Sequence, residues 1–220
     1  MQELLKKASG LGYYVLLDCP EILSAAAAEQ YAAALFVKEG PYCFDGLIIT
    51  AFLGSDTIRP FLNRSKDCGK DVFVLLRSAN KSASELQDLL TGGRHVFEAK
   101  TDVVNRYKNT VATKSGYDRI AVVGPASSGS ILRKLREKYK NLFILVDGYD
   151  LPSANAKNCA EAVDRYGHGA AVCAGSAIAC AWQAVEAPGA WKPLLTISNL
   201  PPRQFGRRWR WRCRRGHRWK

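Results

Sequence analysis

The stretch YYVLLDCPEILSAAAAEQYAAALF, residues 13–36, sets a pattern that the rest of the chain repeats. Tyr13 to Leu17 is an unbroken aromatic and aliphatic run, as expected of a buried strand, and it ends on the carboxylate of Asp18. A carboxylate at the C-terminal end of such a strand is how α/β barrels deliver a reacting group to their mouths. Cys19, Pro20, Glu21, Ile22 and Leu23 follow where chemistry is expected, and an alanine-rich helical segment comes next.

Short β-branched or aliphatic runs recur at 46–50 (GLIIT), 71–77 (DVFVLLR), 119–124 (RIAVVG), 142–147 (LFILVD) and 169–174 (GAAVCA). Helices are expected near 21–38, 55–67, 83–90, 95–111, 128–140, 154–166 and 175–186. Helix starts are marked at Ser55-Asp56, at Ser82 to Ser84 with Glu85, and at Ser127-Ser128. The six β/α units imply an α/β fold, a parallel sheet covered on both faces. A closed barrel takes eight strands and about 250 residues, whereas an open doubly wound sheet can use fewer. Periodicity alone leaves both architectures open.

A chain of 220 residues with 47% hydrophobic content can bury one sizeable core, and one domain is expected over 1–187. Pro188, Pro193, Pro201 and Pro202 then break the pattern, so 188–220 reads as a disordered tail. No apolar run approaches the ~20 residues of a membrane helix. Met1 to Lys7 is amphipathic and lacks the apolar centre of a signal peptide. Seven cysteines form no CxxC pair and read as small buried thiols of a reducing compartment, so a cytoplasmic location is expected.

The formal charge of +12 is concentrated at one end. Residues 203–220 hold eight Arg, one Lys and no acid; without those nine cations the charge is about +3. Arg interleaved with Trp209, Trp211 and Trp219 suits phosphate contact with base stacking, or an anionic membrane. A tail with only nonspecific affinity is one alternative, and a shifted reading frame through a GC-rich Ala/Gly stretch is the favoured one. Nucleic acid is therefore an expected partner only if this tail is genuine.

The segments GYYVLLD, FDGLIITAFLGSDTIRPFL, KDVFVLLRSANKSASELQDLL, SGYDRIAVVG, LFILVDGYD and GHGAAVCAGSAIACAW stand in the order and at the spacing of one known family. From about Leu5 to Trp182 the chain resembles the longer bacterial branch of the orotidine 5′-phosphate decarboxylase family. The resemblance implies a (β/α)8 TIM-barrel fold, entered just before the third strand, with the first two β/α units expected to be absent. That arrangement would leave two sheet edges to be covered. It also implies a cofactor-free carboxy-lyase of pyrimidine biosynthesis, which takes orotidine monophosphate to UMP and CO2. A nucleotide monophosphate ligand and a homodimer follow from the same resemblance.

The family reads Asp-x-Lys-x-x-Asp after its third strand, where the lysine protonates a vinyl carbanion and the carboxylates hold that lysine. Here only Asp18 is retained; Pro20 stands for the lysine and Leu23 for the second aspartate. The family's phosphate-gripping glutamine and arginine correspond to Pro152 and Ser176. Its base-recognising Thr-Ser-Asn reads Ser78-Ala79-Asn80, and its Asn-Pro-Tyr reads Thr50-Ala51-Phe52. Proline offers no proton and leucine cannot support an ammonium, so the resemblance carries the ancestry while the residues argue against the ancestral reaction.

The candidate site residues are Asp18, with Arg77, Asn80, Asp147 and Asp150 as substrate-binding groups, all at or beyond strand C-terminal ends. In a repurposed pocket, Asp18 and Asp147 form a carboxylate pair and Arg77 anchors an anion. Alternatively, Asp150 caps a loop and Asp18 pairs with Arg77. VVGPASSGS (122–130) reads either as a phosphate-holding helix start or as a plain N-cap. Lys157 reads as a substitute phosphate anchor or as a solvated lysine. His95 and His168 have no partner at ligand spacing, so no metal site is expected. Two classes of function remain: an impaired or repurposed lyase-family enzyme, and a non-catalytic binding or regulatory module with a nucleic-acid-contacting tail.

Overall fold

The computed structural model describes residues 1–18, 22–107 and 116–180, which form two compact units. Pro20 and the 203–220 tail lie outside the described residues. The first unit comprises Met1–Gly124 with Asn141–Leu145, and the second Pro125–Lys140 with the chain from Val146 onward.

The first unit begins with α1 (Gln2–Gly10), β1 (Leu16–Asp18), α2 (Ala25–Leu35) and β2 (Gly46–Thr50). A 3-10 turn at Ser55–Thr57 leads into α3 (Arg59–Cys68) and β3 (Asp71–Leu75). Next come a second 3-10 turn (Lys81–Glu85), a small hairpin of β4 (Leu90–Thr91) and β5 (Arg94–His95), α4 (Val96–Asn105) and β6 (Ile120–Pro125). Ser24 starts α2 by accepting from the Ala27 N–H at 3.1 Å, and the helix buries Ala28 and Ala32, one turn apart. Gly69 ends α3 in the left-handed conformation, at φ +73°.

Strands β1, β2, β3 and β6 pair in parallel, with Leu16 opposite Gly46, Gly46 opposite Asp71 and Val72 opposite Ile120. Phe73, Ala121, Val123 and Leu145 are buried on one face, with Leu16, Ile48, Leu75 and Phe143 packed around them. Gly46 is the tight point: a Cβ there would sit 2.8 Å from both the Phe73 ring and the Tyr14 hydroxyl. At the N-terminal ends of the strands, Asp71 accepts from Tyr14 Oη at 2.8 Å and from Arg119 Nη1 at 2.9 Å. Burial, then the neighbouring Asp71 carboxylate, pushes the Tyr14 phenol above its usual range. Lys70, which is buried, donates from Nζ to the Leu35 carbonyl at 2.8 Å and lies 3.9 Å from the centre of the Phe44 ring.

The second unit contains α5 (Gly129–Lys138), the later part of β7 (Ile144–Asp147), α6 (Ala156–Ala160), β8 (Ala170–Val172) and α7 (Gly175–Ala179). Its fixed point is Arg136, only 8% exposed, whose guanidinium donates to the carbonyls of Ala162 (2.8 Å), Gly169 (2.6 Å) and Lys140 (3.0 Å). A buried guanidinium is tolerated there because backbone oxygens replace its water. The Cys173 N–H donates to the Val146 carbonyl at 2.8 Å and sets β8 beside β7.

The six-stranded order is β1-β2-β3-β6-β7-β8, so each strand neighbours the next in the chain apart from the β4-β5 hairpin. A doubly wound sheet reverses its order at a switch point. This order never reverses, which makes the fold (β/α)-barrel type, with six strands in this sheet among the described residues.

Four expectations need correction. The predicted helix at 83–90 is a 3-10 turn followed by a hairpin, because Gly92 and Gly93 turn the chain at φ +58° and +78°. The run at 13–18 is not buried on both faces: β1 is first in the strand order, and Tyr13, Tyr14 and Asp18 are exposed. Of the five cysteines among the described residues only Cys159 is buried, its thiol pushed up to about 11 by burial, while Cys173 is exposed. Helix α6 is also shorter than the predicted 154–166. No helix of the described residues is long and apolar enough to cross a membrane.

Gly46→Ala is expected to lower stability by about 1–3 kcal/mol through overpacking against Phe73 and Tyr14. The urea midpoint measures this; a midpoint equal to that of the unmodified chain would contradict the packing.

Candidate functional site

In the first unit the strand ends deliver Asp18, Thr50 and, just beyond β3, Arg77. Asp18 is exposed at the end of β1. Thr50 Oγ1 accepts from the Phe52 N–H at 3.2 Å, which spends the hydroxyl oxygen on its own turn. Around these ends the exposed side chains are apolar: Leu23 is 72% and Phe52 71% exposed, with Leu53 also out. Leu23 and Phe52 thus present apolar surface where the resemblance places a carboxylate and the tyrosine of Asn-Pro-Tyr.

Arg77 is engaged by Asp88. Nε and Nη2 each donate to one Asp88 carboxylate oxygen at 2.8 Å, and Nη1 donates to the Ser78 carbonyl at 2.8 Å. The Arg77 side chain is 11% exposed. This two-pronged grip holds the Asp88 carboxyl below the usual carboxylate range. The neighbouring Gln87 holds Ser78, and the Ser78 hydroxyl in turn donates to Asn80 Oδ1 at 2.5 Å. His95 Nδ1 lies 2.7 Å from the Asp88 carbonyl, and its ring stacks on Phe97 at 5.4 Å. The segment 81–95, inserted after β3, thus grips the loop at 77–80.

In the second unit Asp147 ends β7 and Asp150 follows in the loop. Asp150 accepts from the Ser176 N–H at 2.9 Å and the Ala177 N–H at 2.7 Å, so its carboxylate caps the start of α7. These backbone donors lower its pKa, the Ala177 N–H most. Partial burial, and then the Asp147 carboxylate to which it hydrogen-bonds, push the Cys173 thiol above its usual range, the reverse of what a nucleophile needs. Ser128 stands at the N-cap of α5 without capping it; its hydroxyl meets Ser130 Oγ at 3.1 Å. Lys157 is exposed on α6.

Arg77 and Asn80 are thus brought together with each other's loop in the first unit, and Asp147 and Asp150 with Cys173 in the second. Asp18 belongs to the first unit and Asp147 to the second. Sequence reading missed Gln87, Asp88 and Cys173. A Gln-Asp pair seven residues after Asn80 gives no local signal of its partners. Also missed was Lys100 on α4, whose amine burial brings down to about 8. Among the described residues no group of three His, Cys, Asp or Glu is placed to hold a metal ion.

No protein-family model matches the chain. Curated relatives do. An orotidine 5′-phosphate decarboxylase of Clostridium perfringens is 30% identical over 163 residues, covering 74% of this chain and 56% of the relative. Another, of Clostridium acetobutylicum, is 31% identical over 134 residues, covering 60% of this chain and 46% of the relative. The chain therefore spans about half the length of the curated relatives it matches. Among solved structures, the Leishmania donovani OMP decarboxylase superposes at TM-score 0.67 with 22% identity, over 94% of this chain and 72% of that one. The Plasmodium berghei orotidine 5′-monophosphate decarboxylase superposes at TM-score 0.69 with 15% identity, over 94% and 61%. At such identities the structures establish the fold alone.

Asp88→Asn is expected to destabilise the chain most at neutral pH. The depressed Asp88 carboxyl contributes stability that is complete above the ordinary aspartate value, about 3.9, and is lost as pH falls through the lower folded-state value. Urea titrations at pH 7 and pH 2.5 measure the gap between the two proteins. It should be wide at pH 7 and narrow at pH 2.5; equal gaps would contradict the pairing.

Proposed function

We propose that this chain, which belongs to the orotidine 5′-phosphate decarboxylase family, is a nucleotide-monophosphate-binding relative whose decarboxylation is impaired or repurposed. One observation carries the reading: the run Asp18-Cys19-Pro20-Glu21-Ile22-Leu23, which keeps the first carboxylate of the family motif and replaces the lysine and second aspartate.

Decarboxylation of orotidine monophosphate breaks a C–C bond and leaves the electron pair on a ring carbon. That carbanion needs a placed ammonium, which supplies both charge and the proton. Proline supplies neither. Loss of a general acid alone removes about 10²–10⁴-fold in rate. With proline at the lysine position, the Asp18 carboxylate would repel the substrate's own carboxylate unproductively.

The charged groups within each unit support the same reading. Arg77, the anion anchor expected after β3, is neutralised by both oxygens of Asp88. The Ser176 N–H, at the position of the family's arginine, already donates to Asp150. A phosphate approaching there would meet a carboxylate first. Binding of a nucleotide would then rest more on the base, through Asn80, than on the phosphate, and truncated binding of this kind forfeits the remote energy that drives the chemical step.

Two measurements test this. Orotidine monophosphate absorbance should stay constant with the purified chain; a steady, protein-dependent fall would overturn the claim of impaired chemistry. UMP at about 100 times its Kd should stabilise the fold by ~2.7 kcal/mol, a rise of about 5–10 °C in Tm. An unmoved Tm at millimolar UMP would remove the nucleotide-binding part of the reading.

A further inference from the structure

At the N-terminal ends of β2 and β3, away from Asp18 and Arg77, three reactive side chains gather within the first unit: Cys43, Cys68 and Lys70. The parallel register brings them together. Gly46 lies opposite Asp71, and the Asp71 N–H extends the pairing backward by donating to the Asp45 carbonyl at 2.7 Å. Cys43 stands three residues before Gly46, and Cys68 three residues before Asp71. The two cysteines therefore enter neighbouring strands, about 5 Å apart, at matching positions.

Contacts between the two segments hold that arrangement. Lys70, only 7% exposed, reaches from the β3 side to 3.9 Å from the centre of the Phe44 ring, beside Cys43. Its Nζ also donates to the Leu35 carbonyl at 2.8 Å. The Ser65 hydroxyl donates to the Lys70 carbonyl, and Gly69, at φ +73°, turns its N–H onto the Ser65 carbonyl at 2.9 Å. Cys68 Sγ lies 3.8 Å from that same carbonyl, so the thiol sits in a tight turn between α3 and β3. Both thiols are half-buried and open to a small oxidant. Burial holds the Lys70 ammonium below its usual range, while Cys68, then Cys43, then Asp45 oppose that shift through their negative charge. The attraction is mutual: the ammonium favours negative charge on either sulfur.

We propose that Cys43 and Cys68 form a peroxide-responsive dithiol that closes to a disulfide across the starts of β2 and β3, with Lys70 as its positioning residue. One thiolate attacks a peroxide oxygen; an S–O bond forms, the O–O bond breaks, and hydroxide leaves to take up a proton as water. The second thiolate attacks that sulfenic sulfur; the S–S bond forms and the S–O bond breaks, with loss of a second hydroxide that becomes water. Two thiols and one hydrogen peroxide give one disulfide and two waters, and the sulfur pair gives up two electrons to the peroxide. The product clasps the end of α3 to the entry of β2, at the end of the sheet remote from the candidate site.

Peptide mapping of the full chain after exposure to hydrogen peroxide tests this. A Cys43–Cys68 crosslinked peptide is expected, with two thiols lost and both regained on reduction with dithiothreitol. It should form at least about 10-fold faster in the folded chain than in the chain denatured by urea, because the fold holds the pair together. Cys43→Ser and Cys68→Ser should each abolish the crosslink and leave the remaining sulfur as a sulfenic acid that dimedone labels. Lys70→Met removes the cation and should slow the crosslink about 10-fold, with Lys70→Arg restoring it. Absence of the Cys43–Cys68 peptide from the oxidised folded chain, or equal rates in folded and denatured chains, overturns the proposal. A wild-type rate in Lys70→Met, shown to be folded by circular dichroism, overturns the role given to the ammonium. The cysteine variants and the urea comparison decide the dithiol even where a Lys70 variant fails to fold.

Discussion

Parallel pairing in chain order is the constraint from which the rest follows. Once Leu16 lies opposite Gly46 and Gly46 opposite Asp71, β1, β2 and β3 all end at the same edge of the sheet. Asp18, Thr50 and the Arg77 loop then come to one region whatever their chemistry. The register itself depends on an absence, the missing Cβ of Gly46 between the Phe73 ring and the Tyr14 hydroxyl. At the opposite edge, a tyrosine and an arginine on one aspartate tie the strand starts together. Division of labour between the two ends is the general habit of (β/α) barrels, with stability at the N-terminal face and chemistry at the other.

The sheet was legible in the sequence because its signal is local. GLIIT, DVFVL and the run at Ile120 are continuous apolar stretches bounded by polar residues, and each is a strand. The segment 83–90 misled for the same reason. Leu86, Leu89 and Leu90 fall at helical spacing, yet all three are exposed, because the Gly92-Gly93 turn pulls the chain into a hairpin. The candidate site was legible only where position along a strand sufficed, as for Asp18 and Asp147. Arg77's partner could not be read, since Asp88 lies eleven residues on and is brought back by a turn that no periodicity announces. Pairings of that kind belong to tertiary structure.

Near the ends of β1 and β2 the exposed side chains of Leu23 and Phe52 are apolar. Two of the candidate charges are held by the protein itself: Arg77 by Asp88, and Asp150 by two peptide N–H groups. An enzyme that stabilises a carbanion keeps its polar groups aimed at where charge develops. Groups already satisfied by internal partners are stabilising for the fold and unresponsive to a reacting ligand. The Cys173 thiol beside Asp147 is held back likewise, since partial burial first and then the carboxylate oppose thiolate formation.

The Asp71 cluster also has a consequence in time. Its two bonds join residues 57 and 48 positions apart in the chain, to Tyr14 on one side and Arg119 on the other. On a ribosome, Tyr14 and Asp71 can meet long before Arg119 is made, but the carboxylate then carries a partly desolvated charge with no cation beside it. Helices α2 and α3 form from local contacts, whereas the second bond to Asp71 waits for Arg119. The Asp71 cluster is therefore completed only once the chain has passed its midpoint, and until then β3 carries an unpaired edge where β6 will lie.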